Sequence, residues 1–190
     1  LWEFQGLVRA AGWLAPRALS LVLFAAILVA SYLGSAPLLV AAAGAVLIAL
    51  PTAILLAAPK EPVWLGSAAA TSFATLYVGA GGAAVIALRA IGWEPVLFLL
   101  GIVWAGDSAA YYVGSKLGKR RLSPVVSPKK SWEGFWGQIA AGAVFGALLA
   151  LVLPRVPGTP PVAAAAGALL GAVLSVVAVV GDLVESTFKR

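Results

Sequence analysis

Carboxylates and lysines that could bind a divalent cation and phosphate groups gather in the second half of this sequence. Asp107 lies inside an apolar run and Asp182 directly follows one, where a charged side chain is costly and indicates a function. The segment from Lys116 to Lys130 between them carries six of the 13 Lys and Arg residues. Carboxylates for a cation and lysines for phosphate predict a site for a phosphorylated, anionic substrate.

Three short segments hold these residues. In the last one, Asp182, Glu185, Ser186 and Lys189 have the spacing of one helical face. A helix end with snorkelling cations would explain Lys189 and Arg190 but not Asp182.

The middle segment runs from Ser127 to Gly134. Pro128 fixes a turn, and Ser131 could cap a helix whose N-terminus, with Lys129 and Lys130 beside it, would favour an anion. A basic loop on the inner side of a membrane is the alternative interpretation of the lysines. In the first segment, Asp107 and Tyr111 share a helical face, although Asp107 could also be a single acid tolerated near the membrane interface.

Composition limits the chemistry and the class of protein. The chain has no Cys and no His, which excludes zinc, haem, iron–sulfur and thiol sites and leaves oxygen ligands, as for Mg²⁺ or Ca²⁺. It is 62% hydrophobic and only 11% charged, too little charge to cover a soluble domain. We therefore expect a membrane protein, and the net charge of +6 is explained by membrane topology and not by a nucleic-acid partner.

Apolar runs predict an all-α, polytopic bundle of about six transmembrane helices that forms a single domain over residues 1–190. The predicted spans are 17–34, 37–58, 61–89, 95–114, 134–153 and 161–180. Residues 1–16 suit an interfacial helix or the end of a further span, and Pro51 predicts a kink.

Charge asymmetry predicts the orientation of these spans. With the N-terminus inside, every Lys and Arg except Arg89 and Arg155 lies on the inner side, as does every acid except Glu94. The N-terminus and the site are then cytoplasmic, in the inner membrane of a bacterium. Gly142-xxx-Gly146 and Gly167-xxx-Gly171 are close-packing patterns, which in so Gly-rich a chain also arise by chance, and a homodimer through them is one interpretation.

The order of these motifs resembles phosphatidate cytidylyltransferases, also called CDP-diacylglycerol synthases. The resemblance covers about residues 60–190. It rests on Gly-Asp-Ser-Ala-Ala-Tyr around Asp107, Gly-Ser-Lys-Leu-Gly-Lys from Gly114, Ser-Pro-Lys-Lys-Ser-Trp-Glu-Gly from Ser127, and the segment from Gly181 to Arg190. The family continues past its Lys-Arg pair with a segment, containing a second metal-binding Asp, that these residues do not include. We therefore expect the 190 residues to be a fragment of a longer protein.

The resemblance implies a nucleotidyltransferase that joins CTP to phosphatidate, giving CDP-diacylglycerol and pyrophosphate for phospholipid synthesis with Mg²⁺. It implies a metal ligand in Asp182, a second candidate for metal or nucleotide in Asp107, and phosphate-binding cations. The cations are Lys129, Lys130, Lys189 and Arg190. Ser127 and Ser186 are expected hydrogen-bond partners of the substrates.

Two alternatives remain open at this point. A CTP-dependent kinase of a lipid or isoprenoid alcohol would use similar groups but transfer a single phosphate. A transporter would place its ionisable residues near the middle of the membrane, whereas this chain has them at the inner ends of the spans.

Overall fold

The computed structural model describes residues 1–57, 63–155 and 161–188. The described elements, in chain order, are α1 (Trp2–Ala10), α2 (Arg17–Tyr32), α3 (Ala36–Ala57), α4 (Trp64–Ile91), α5 (Glu94–Leu117), β1 (Arg121–Ser123), β2 (Ser127–Ser131), α6 (Trp132–Val152), a 3-10 turn (Leu153–Arg155) and α7 (Ala164–Phe188). They fall into two compact units, Leu1–Ile91 and Gly92–Arg190.

The predicted all-α, polytopic membrane bundle is confirmed. Among the described residues, five helices, α3 to α7, are long and apolar enough to cross a membrane. The apolar α2 has 16 residues, about 24 Å at 1.5 Å per residue, which is shorter than a typical span. The predicted break after α2 is present because Gly34, with φ of 63°, ends the helix before α3 begins. Pro51 lies inside α3.

The first unit packs α2 and α3 with α4 along apolar residues of helical spacing. Leu23 and Ile27 of α2 form one buried cluster with Val46 and Leu50 of α3. Gly79 of α4 admits Ile27, because a Cβ at that position would lie 2.9 Å from its Cδ1. Other faces of α2 and α3 leave large apolar side chains exposed, as expected of helices that contact lipid.

The second unit packs α6 between α5 and α7. A Cβ on Gly142 would collide with Ser175 and the Gly171 carbonyl of α7, and one on Gly146 would collide with Gly167. The two glycine patterns therefore pack against each other inside the chain, where small residues let the backbones approach closely. The predicted homodimer remains a prediction, and these glycines are not free to form its contact surface.

A short antiparallel hairpin between α5 and α6 is the element that the sequence did not predict. Arg121 pairs with Ser131 and Ser123 with Ser127, with an irregularity between the two pairs. The predicted cap of α6 is confirmed, since the Ser131 hydroxyl accepts a hydrogen bond of 3.1 Å from the Gly134 amide. The hairpin thus passes directly into a transmembrane helix.

Candidate active site

One cavity of about 660 Å³ in the second unit is lined by two carboxylates and three cationic side chains. Asp107 lies near the middle of α5, and Asp182 lies in the last two turns of α7. The hairpin contributes Arg121, Lys129 and Lys130. Acids from two helices and bases from the loop between them therefore meet in one place, which spacing along the chain could not establish.

An ion pair closes one side of this cavity. The Lys130 Nζ lies 2.9 Å from the Asp182 Oδ2, with Lys130 26% exposed and Asp182 49% exposed. Water reaches both groups, so the pair adds little to stability and can separate when an anion or a cation arrives. It links the hairpin to the last turns of α7.

A buried amide holds the other carboxylate. Gln138 of α6, only 3% exposed, donates a hydrogen bond of 2.9 Å from Nε2 to the Asp107 Oδ1. Its stem packs on Gly106, where a Cβ would lie 3.0 Å from the Gln138 Cγ. Any larger residue at position 106 would push the amide away, so Gly106 and Gln138 together position Asp107 at the cavity wall.

Small residues seat the hairpin against α5. A Cβ on Gly114 would lie 3.2 Å from the Ser131 Oγ, and one on Gly118 would lie 2.8 Å from it. Glu133 accepts weak hydrogen bonds from the Arg120 amide at 3.3 and 3.4 Å, and the Arg120 carbonyl accepts one from the Trp132 amide at 3.0 Å. These contacts fix the start of the hairpin, and with it Arg121, beside the cavity.

The structure brings together four of the predicted site residues, namely Asp107, Lys129, Lys130 and Asp182. Ser127 lies in β2 and does not line the cavity. Ser186 lies one turn after Asp182, and its hydroxyl donates 2.7 Å to the Asp182 carbonyl. The predicted residues Lys189 and Arg190 lie outside the described residues.

Sequence reasoning missed Gln138 and Arg121 as site residues. Gln138 had a usable signal, because it is a polar residue inside an apolar span, seven positions after Ser131 and therefore on the same helical face. No such signal existed for Arg121, because Lys119, Arg120 and Arg121 are adjacent in the sequence. Only the structure of the hairpin shows which of them lines the cavity.

The donor set of this cavity fits Mg²⁺ held jointly with a substrate. Within the described ranges, no three side chains among Asp, Glu, His and Cys gather as a metal cluster. Two carboxylates do line the cavity, and Mg²⁺ is commonly bound by one or two carboxylates together with substrate phosphates. Asp107 and Asp182 would be its protein ligands here.

The chain is similar in sequence to known cytidylyltransferases. The family model described as "Cytidylyltransferase family" matches residues 1–190. A phosphatidate cytidylyltransferase of Brucella suis is 42% identical over 99 residues, which are 52% of this chain and 34% of that protein. The enzyme of the same name from Bacillus subtilis is 34% identical over 122 residues, 63% of this chain and 44% of that protein.

A third relative, the phosphatidate cytidylyltransferase of Haemophilus influenzae, is 39% identical over 99 residues. That match covers 50% of this chain and 33% of the relative, so the chain spans well under half the length of the curated relatives it matches. No solved structure matches it. The match over the whole chain shows that this protein belongs to the cytidylyltransferase family.

Proposed function

We propose that this protein transfers CMP from CTP to phosphatidate, giving CDP-diacylglycerol and pyrophosphate. One observation carries the proposal: two carboxylates from membrane-spanning helices and three cations from the hairpin line a single cavity. Family membership supports cytidylyl transfer, and the names of the relatives supply phosphatidate as the acceptor.

The cations of the hairpin would bind the phosphates of the two substrates. Arg121 can bind a phosphate with two parallel hydrogen bonds, whereas Lys129 and Lys130 act as point charges. In the reaction, an oxygen of the phosphatidate phosphate attacks the α-phosphorus of CTP, and the bond from that phosphorus to the β-phosphate oxygen breaks. The electrons of that bond leave with pyrophosphate, so catalysis requires positioning and charge neutralisation, not a covalent enzyme intermediate.

The carboxylates of Asp107 and Asp182 would bind the metal ion. Mg²⁺ supplies neutralisation of the charge that develops on the leaving pyrophosphate. Asp182 is free to bind it once Lys130 turns from the carboxylate to a phosphate, and the Gln138 amide keeps Asp107 directed at the cavity. Ser127, Ser186, Lys189 and Arg190 remain proposed phosphate or hydrogen-bond partners of the substrates.

The setting suits a lipid substrate. Phe135, Leu122 and Val179 give the same cavity an apolar part, and Tyr111 at its edge is 70% exposed. Diacylglycerol chains can remain in the bilayer while the phosphate reaches the cations. We place this end of the unit at the cytoplasmic face of a bacterial inner membrane, where CTP is available, because the basic hairpin follows the positive-inside rule.

Two radioactive forms of CTP test the proposed reaction with the full-length protein in membranes. Cytidylyl transfer moves label from the α-phosphate of CTP into lipid and leaves label at the γ-phosphate in pyrophosphate. A lipid kinase would give the opposite result. Lipid labelled only from the α-position, and only when phosphatidate and Mg²⁺ are present, is expected; lipid labelled from the γ-position would replace the proposal with the kinase.

A further inference from the structure

The loop between α1 and α2, residues 11–16, borders a second cavity, of about 430 Å³, in the first unit. Its walls are this loop, Arg9 at the end of α1, and Ala53, Ile54 and Ala57 in the last turns of α3. No residue is shared with the lining of the cavity around Asp107 and Asp182.

The loop is held in a fixed conformation by hydrogen bonds to α4. The Oγ of Ser67, which is fully buried, accepts a 2.9 Å hydrogen bond from the Leu14 amide. The Thr71 hydroxyl donates 3.3 Å to the Leu14 carbonyl. Trp13 lies against Gly66, where a Cβ would be 3.2 Å from its ring. The cavity is therefore built into the fold of this unit.

Arg9 gives the cavity its single charge. Its Nε and Nη2 both donate to the Ala15 carbonyl, at 3.2 and 2.8 Å, which fixes the guanidinium at the loop. The Nη1 group is left to bind a ligand, and among the described residues no carboxylate pairs with Arg9. The other lining side chains are apolar, apart from the indole N–H of Trp13. The cavity is thus cationic at one point and apolar elsewhere.

The position of the cavity indicates which ligand has this chemistry. It lies where the apolar α2 begins and the transmembrane α3 ends, the level at which lipid headgroups meet the hydrocarbon of a bilayer. Leu55 and Leu56, exposed on α3 beside it, continue an apolar surface along which acyl chains can lie. An anionic phospholipid has one phosphate charge next to apolar chains. We infer that Arg9 and this loop bind the phosphate of an anionic phospholipid that is not the substrate.

Native mass spectrometry of the detergent-purified protein tests this site with phosphatidylglycerol and phosphatidylcholine of equal chain length. Every protein compared carries Lys129→Gln and Lys130→Gln, which weaken phosphate binding in the other cavity. We expect phosphatidylglycerol to bind roughly tenfold tighter than phosphatidylcholine, because both lipids carry a phosphate but the choline cation of phosphatidylcholine is repelled by the Arg9 guanidinium. Arg9→Gln should abolish that preference, and excess inorganic phosphate should not displace the lipid.

A second variant leaves Arg9 and its contacts in place. Ala57→Trp fills the cavity from the α3 side and should abolish the preference, whereas Ile48→Trp, at an exposed position of α3 that does not line the cavity, and Arg89→Gln should keep it. Unchanged preference in both Arg9→Gln and Ala57→Trp, with circular dichroism showing folded protein, would overturn the inference. The inference would also be overturned if inorganic phosphate displaced the lipid. Equal binding of the two lipids by the protein with Arg9 and Ala57 unchanged would overturn it as well.

Discussion

At the scale of single residues, each carboxylate of the proposed active site has a different kind of partner. Lys130 pairs with Asp182 through a charge, in contact with water, and Gln138 binds Asp107 through a buried neutral amide. A ligand can displace the Lys130 ammonium from Asp182, whereas the buried Gln138 amide holds Asp107 in one orientation. We therefore expect the two residues to respond differently to substitution.

Replacing Gln138 by Leu removes the donor to Asp107 at similar volume. Loss of a hydrogen bond to a charged group costs about 1.5 to 3 kcal/mol, so kcat/KM for CTP should fall about 10- to 150-fold. The Mg²⁺ concentration for half-maximal rate should rise as well. Ser175→Ala is the control, because Ser175 is a buried residue of the same unit whose hydroxyl donates to the Gly171 carbonyl of its own helix, α7. An unchanged Mg²⁺ requirement in Gln138→Leu would show that Gln138 does not position Asp107.

Replacing Lys130 by Gln should affect binding far more than stability. The pair with Asp182 is partly exposed, and such pairs contribute about 0 to 1 kcal/mol to folding. Thermal unfolding should therefore change little while the KM for CTP rises roughly tenfold, and Lys130→Arg should recover part of the loss. A large fall in melting temperature with an unchanged KM would show that Lys130 is structural.

Much of this site could be predicted from residue types alone. An acid next to an apolar run identified Asp107 and Asp182, because the cost of such a charge is high wherever the helix packs. The contact of Gln138 with Asp107 could not be predicted, since it depends on how α5 and α6 face each other. In a hydropathy profile, Gln138 is only one polar residue in a long apolar span.

At the scale of elements, close helix contacts hold the second unit in the arrangement that forms the cavity. Glycines let α6 approach α7, and the hairpin carries the cations between α5 and α6. Hydrophobic runs predicted most helix ends within a few residues, because burial in lipid leaves the backbone little alternative to a helix. The exception is α7, which continues past the predicted end at 180 to Phe188. The hairpin was missed because β1 has three residues and β2 contains Pro128, both weak strand signals.

Substituting Gly142 by Ala should disturb the contact between α6 and α7. The added methyl group would overlap Ser175 and the Gly171 carbonyl, and overpacking of this kind costs about 1 to 3 kcal/mol. Gly181→Ala in α7 is a matched control, since nothing lies within 4 Å of a Cβ there. Melting temperatures in one detergent would show the difference; equal values for the two variants would contradict close packing at Gly142.

At the scale of the whole molecule, the five long helices and the shorter α2 establish an integral membrane protein. These 190 residues contain no Cys, which makes the proposed orientation simple to test, because an introduced Cys is the only one among them. Val125, 77% exposed in the turn of the hairpin, and Trp93, between α4 and α5, are predicted to lie on opposite sides of the membrane.

A membrane-impermeant maleimide should label Trp93→Cys in spheroplasts, whose inner membrane is intact and exposed. Val125→Cys should be labelled only after that membrane is broken, because the hairpin is predicted to be cytoplasmic. The detergent-solubilised variants, both labelled, provide the control for reactivity. Labelling of Val125→Cys before the membrane is broken would place the basic hairpin outside and contradict the proposed access of CTP.

The central claim is that Asp107 and Asp182 form one site for cytidylyl transfer, and their Asn variants test it most directly. The measurement is the rate at which α-labelled CTP enters lipid, with saturating Mg²⁺ and phosphatidate. Asp182→Asn and Asp107→Asn should each lower this rate by at least about a hundredfold, because a metal ligand supplies several kcal/mol to the transition state. Glu94→Gln, at the opposite end of α5, should leave it unchanged. A normal rate in either folded Asn variant would contradict the assignment of this cavity as the active site.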